Sequence, residues 1–96
     1  MINLSDRVRP HVDVVDTELA EQETVLLHLT TKLYFSLNPT GSRIWKGLKR
    51  GHPLGAISRE LQDEFDVDAE QAAASVVSLV TELEREGLVV VVTAVE

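Results

Sequence analysis

The sequence predicts an α+β domain: a small antiparallel three-stranded sheet packed on three helices, with an extra C-terminal strand. Three observations carry that expectation. Two runs of period-two hydrophobicity, Val25-Leu27-Leu29 and Leu33-Phe35-Leu37, are separated by only Thr30-Thr31-Lys32, the spacing of a hairpin. Three later stretches repeat apolar residues at spacings of three and four, each with a recognisable start or stop signal for a helix. The β-branched run Leu88-Val89-Val90-Val91-Val92 then needs a strand partner, because an unpaired edge of that composition aggregates.

The 96 residues suit a single domain over 1–96. Its core must be aliphatic, since Trp45, Tyr34, Phe35 and Phe65 are all the aromatics there are. The chain has no cysteine, so nothing asks for an oxidising compartment. With neither a signal-peptide pattern nor an apolar run of roughly 20 residues, the expected location is cytoplasmic. A formal charge of −7 removes the electrostatic attraction on which nucleic-acid binding depends.

In chain order, residues 1–10 carry little pattern and read as a flexible arm. His11 to Thr17 is a candidate first strand, with moderate β-branched content and imperfect alternation. An acidic loop, Glu18 to Glu23, precedes Thr24 to Leu29. There Val25, Leu27 and Leu29 form the apolar face, and His28 is expected on the surface side. The hairpin returns along Leu33 to Leu37, with Tyr34 and Ser36 opposite the apolar face. Asn38 then offers its side chain as an N-cap and Pro39 takes the first helical position, so a helix starts there. Ile44, Trp45 and Leu48 form its buried stripe, while Arg43, Lys46, Lys49 and Arg50 take the other side. Gly41 and Gly47 inside it point to close packing against the strand or the third helix. Gly51 closes the helix in a left-handed conformation.

Pro53 opens a second helix with Leu54, Ile57, Leu61 and Phe65 on one stripe. Asp68 caps a third, with Gln71 in the capping-box position and Val67 and Ala72 spaced as a hydrophobic staple. This helix runs to Glu86, where Gly87 and a Leu83–Leu88 contact close it. Residues 88–96 are left as a C-terminal strand or tail that joins the small sheet or pairs with a second copy as a homodimer.

The joint from strand to helix, Leu37-Asn38-Pro39-Thr40-Gly41, followed by Ile44-Trp45 and Leu48, resembles the PqqD-like family, whose members recognise the leader of a ribosomally made precursor peptide. The closing set Leu83, Gly87 and Leu88 belongs to the same resemblance, which spans Val25 to about Val89. It implies a winged-helix-like recognition domain that binds the leader and presents it to a modifying enzyme or leader peptidase. In that family the leader adds as a strand to the third strand and lies beside the third helix. Leu33, Tyr34, Phe35, Ser36 and Leu37 are therefore the expected edge, with Ala73, Val77 and Val80 nearby. The apolar arc of the third helix is wider than the ~100° of a one-sided surface helix, which leaves Ala73 and Val77 on a flank with Glu84. The Asn38-Pro39-Thr40-Gly41 form looks more like stand-alone readers of lasso-type pathways than like the cofactor-pathway namesake; which precursor and which product class are served stays open.

Catalysis needs converging groups, and the residues supply none: there is no Cys nucleophile, the histidines are dispersed and no Ser stands in a nucleophile-elbow setting. No enzyme activity, cofactor or metal site is expected. The basic set on the first helix reads either as a solvated face or as a patch for acidic residues of a bound peptide. A winged-helix DNA-binding regulator is one alternative, disfavoured by Glu70, Gln71, Glu82, Glu84 and Glu86 against a single Arg85 on the third helix. A structural subunit assembling through the Val-rich tail is the other.

Overall fold

A computed structural model describes residue 2, residue 4 and residues 6–92. Among the described residues, five strands and three α-helices follow in the order β1 (Arg7–Pro10), β2 (Val14–Glu18), β3 (Thr24–His28), β4 (Tyr34–Leu37), α1 (Pro39–Lys49), α2 (Leu54–Glu64), α3 (Ala69–Arg85) and β5 (Val89–Val92), with a 3-10 turn at Ala20–Gln22 between β2 and β3. Strands β2, β3 and β4 form an antiparallel sheet in that order, so β3 is central and β4 is an edge. The α+β class with a three-stranded sheet and three helices is as expected.

The helix boundaries follow local chemistry. Asn38 Oδ1 accepts the Gly41 amide at 2.8 Å and Pro39 opens α1. Asp68 caps α3 in the same way, accepting from the Gln71 amide at 2.8 Å. Gly51 and Gly87 close α1 and α3 at φ +79° and +76°, and Leu88 N–H donates to the Leu83 carbonyl at 2.9 Å as a Schellman closure requires. The core comprises Leu26, Leu37, Ile44, Trp45 and Leu48 with Leu54, Ile57 and Leu61 of α2 and Ala72, Val76, Val80 and Leu83 of α3. Gly47 permits the approach of α2 rather than of the strand or α3: a Cβ added there would stand 2.7 Å from Ile57 Cγ1.

Three expectations change. The N-terminal residues are not a free arm where they are described. Arg7–Pro10 pair antiparallel with Val89–Val92, Val8 is fully buried, and Asp6 and Leu4 carbonyls accept the Leu54 and Gly55 amides at the start of α2. Those amides have no partner within their own helix, so the N-terminal segment serves as the cap. The Val-rich run thereby finds its partner about 80 residues away within its own chain, in a two-stranded sheet separate from the other three. A homodimer through β5 is not needed to satisfy it. Residues 1, 3 and 5 of the expected arm and residues 93–96 of the expected tail lie outside the described residues.

The third change concerns β3. Thr24, Leu26 and His28 face inward, while Val25 and Leu27 are half-buried on the outer face and Leu29 is exposed. His28 is on the buried side because it builds the hairpin turn: its Nδ1 accepts the amides of Thr30 at 3.2 Å and Thr31 at 3.3 Å. That lets Lys32 take a left-handed φ of 65° without glycine. The His11 ring packs on it with centroids 4.8 Å apart. Thr24, also inward, accepts a 2.7 Å hydrogen bond from Ser42 Oγ that ties β3 to α1.

Candidate functional site

The side of β4 away from β3 carries no strand among the described residues. Register shows which backbone groups stand there. His28 N–H donates to the Leu33 carbonyl, and the pairs Leu26↔Phe35 and Thr24↔Leu37 continue the same parity. In an antiparallel ladder the hydrogen-bonded pairs alternate with non-bonded ones. Leu33, Phe35 and Leu37 therefore spend their N–H and C=O groups on β3, and Tyr34 and Ser36 point theirs to the open edge. The side chains divide the same way: Leu37 is buried and Phe35 half-buried toward the helices, while Tyr34 and Ser36 are exposed.

Beside this edge the surface falls into a cleft of two adjoining cavities. One, roughly 490 Å³, is lined by Glu23, Phe35, Ser36, Leu37, Asn38, Gly41, Leu79 and Glu82. The other, roughly 330 Å³, runs between α1 and α3 and is lined by Asn38, Thr40, Gly41, Ile44, Ser75, Ser78, Leu79 and Glu82. The joint between β4 and α1 forms its floor. Gly41 sits there without a side chain, its absent Cβ only 3.3 Å from Leu37 and Asn38.

Of the expected strand residues, Phe35, Ser36 and Leu37 line the cleft, while Leu33 and Tyr34 line neither cavity. The cleft-facing side of α3 is made of other residues than those expected. Ser75, Ser78, Leu79 and Glu82 face the cleft, whereas Ala73, Val77 and Glu84 line neither cavity and Val80 is fully buried. At about 100° per residue, the mean direction of Ala73, Val77 and Glu84 lies about 170° around α3 from the cleft-facing four, with the core stripe between. The missed residues had a signal: Ser75, Ser78, Leu79 and Glu82 repeat at spacings of three and four. It is a mostly polar stripe, and a search for surplus apolar surface passes over it.

The basic face of α1 is internally neutralised. Lys46 pairs with Glu18 at 2.7 Å, Lys49 with Asp16 at 2.8 Å, and Arg43 with both Glu60 and Glu64; of the four cations Arg50 has no ion pair among the described residues. Three of the four charges suggested for an acidic ligand are spent on holding α1 to β2 and α2. Trp45 Nε1–H adds a 2.5 Å hydrogen bond to Asp16. Burial raises the Asp16 carboxyl, but the hydrogen bonds from Lys49 and Trp45 and the Lys49 charge outweigh it, holding the group below the ordinary carboxylate range. No group of three or more potential metal ligands occurs among the described residues, and no described helix is long and apolar enough to cross a membrane.

Residues 23–89 match the family model of coenzyme PQQ synthesis protein D (PqqD), a span that holds the hairpin, the β4–α1 joint, all three helices and the cleft. The chain belongs to the PqqD family. Two solved structures extend the likeness over most of this PqqD-family chain. One, TbiB1 in complex with the TbiA(beta) leader peptide, is 31% identical, with a TM-score of 0.79 over 84% of this chain and 93% of that one. The other, lasso peptide synthetase B1 complexed with the leader peptide, is 25% identical, with a TM-score of 0.80 over 88% and 98%. Comparison with curated proteins returns no match.

Proposed function

We propose that this PqqD-family protein binds the leader segment of a ribosomally synthesised precursor peptide by strand addition to β4. It then presents the bound precursor to a modifying enzyme or leader peptidase in the cytoplasm, doing no chemistry itself. The observation that carries this reading is the open β4 edge standing beside a cleft, in a fold shared with two proteins solved with leader peptides. An extended peptide satisfies the outward N–H and C=O groups of Tyr34 and Ser36, and its alternate side chains enter the cleft. Each ladder bond contributes only about 0.5–1.5 kcal/mol net, so selectivity resides in the cleft. Holding a disordered precursor beside its enzyme raises the effective concentration, which speeds a reaction without a catalytic group on the carrier. Val15, Leu29 and Tyr34, exposed on the outer sheet face, supply apolar surface of the kind a protein partner covers.

The test is an amide NMR titration of the labelled protein with the leader segment of a precursor peptide encoded beside it. Shifts at Tyr34 and Ser36 and along the cleft-facing side of α3 are expected. Absence of any shift at millimolar peptide would refute leader binding. A DNA-binding alternative gains nothing from the structure, since Glu70, Glu82, Glu84 and Glu86 stand exposed on and after α3.

A further inference from the structure

Glu82 belongs to the wall shared by both cavities, so it meets whatever fills either one. Its carboxylate has no hydrogen-bond or ion-pair partner among the described residues, and neither has that of Glu23 at the outer end of the larger cavity. By contrast, the carboxylates packed around α1, Asp16, Glu18, Glu60 and Glu64, are each matched by a cation. Nor do the hydroxyls of Thr40, Ser75 and Ser78, around the smaller cavity, have a partner among the described residues. No Lys or Arg lines either cavity.

We propose that Glu82 determines specificity by selecting a Lys or Arg side chain of the peptide seated on β4, with Glu23 assisting at the outer end. The inference rests on the leader-binding reading and names what that site selects. An apolar side chain over Glu82 would strip water from a carboxylate and return no hydrogen bond, which costs free energy. An acidic one meets like charge on a protein that already carries −7. A cation gives a charge-assisted hydrogen bond and leaves further N–H donors for the hydroxyls of Ser75, Ser78 and Thr40. Phe35, Leu37 and Leu79 make the neighbouring part of the cleft apolar. Side chains on one face of a strand recur every second residue, about 6.6 Å apart. The peptide pattern selected is therefore an apolar residue and a cationic residue on the same, cleft-facing side of the added strand.

The experiment measures affinity by calorimetry, using the leader segment encoded beside this protein and a set in which each Lys or Arg is replaced singly by Gln. Each peptide is titrated into the intact wild-type protein and into Glu82→Gln and Glu23→Gln variants. Because Glu82 and Glu23 are exposed, the substitutions leave the fold intact, which circular dichroism verifies. The expected result is one cationic position whose neutralisation weakens binding about two- to fivefold, the range of solvent-accessible ion pairs. That loss should disappear in Glu82→Gln, and wild-type affinity should fall with added salt. Leader binding that shifts the β4 amides yet is unchanged by Glu82→Gln, or a tightly bound leader without Lys or Arg, overturns this inference and leaves leader recognition standing. No binding of any leader overturns both.

Discussion

Replacing Ser36 by proline should abolish most leader binding and leave the fold nearly untouched. The prediction turns on parity. The Ser36 amide points away from β3, so losing its N–H removes no ladder bond within the domain, and the exposed side chain leaves no cavity. In the complex the same change deletes one donor, worth about 0.5–1.5 kcal/mol net, and strands the peptide carbonyl it served, a further cost of about 1–3 kcal/mol if water cannot reach it. Together these correspond to binding weaker by roughly 10-fold, if water reaches the stranded carbonyl, to about 1,000-fold if it does not, at 1.4 kcal/mol per decade. Phe35→Pro is the contrasting variant: its amide serves the Leu26 pairing and its side chain covers the core, so it should unfold the sheet. Calorimetric titration with the leader segment gives the affinity, and thermal melting followed by circular dichroism gives the stability. Hydrogen exchange supplies an independent readout, with the Tyr34 and Ser36 amides fast in the free protein and slowed by the leader, and Phe35 slow in both. Unchanged affinity for Ser36→Pro, or a Ser36 amide already protected without peptide, would refute the edge assignment.

Other outcomes follow from the packing. Gly47→Ala gains about 1 kcal/mol of helix propensity but drives a methyl into Ile57, an overpacking cost of about 1–3 kcal/mol, so urea melts should show net destabilisation, and the penalty of Gly47→Ala should vanish in an Ile57→Ala background, which removes the clashing Cγ1. At Gly87, whose φ is +76°, alanine should lower stability by about 1 kcal/mol with leader affinity unchanged. Asp16 has a folded pKa held below its unfolded value near 3.8, so its contribution is present above that value and is lost as pH falls through the folded one. Wild type should accordingly exceed Asp16→Asn in stability at pH 7, and the gap should close on acidification well below pH 4; a gap that does not change with pH would contradict the pairing with Lys49. Val8→Asp buries a charge in the β1–β5 layer and should collapse thermal stability, whereas a truly free arm would tolerate it.

What the sequence by itself determined is the local punctuation. Asn38-Pro39, Asp68, Gly51 and Gly87 act within one helical turn, so each helix end except the first turn of α2 could be read from adjacent residues. The hairpin, the edge strand Leu33 to Leu37 and the family resemblance were legible for the same reason, being carried by contiguous residues. Tertiary structure alone decided the rest. Whether Val25, Leu27 and Leu29 or Thr24, Leu26 and His28 face inward depends on what each face meets, and a period of two cannot choose between two faces when both are partly apolar. The Val-rich run declared its need of a partner but not its identity, because Arg7–Pro10 carries no signature of its own and the pairing spans nearly the whole chain. On α3 the periodicity marked an apolar arc, yet the flank beside β4 was set by how the helix rolls on α2 and β5. That rotation placed Ser75, Ser78, Leu79 and Glu82 over the cleft and turned Ala73, Val77 and Glu84 away from it, since side-chain direction within a helix is local but the direction of the neighbouring strand is not.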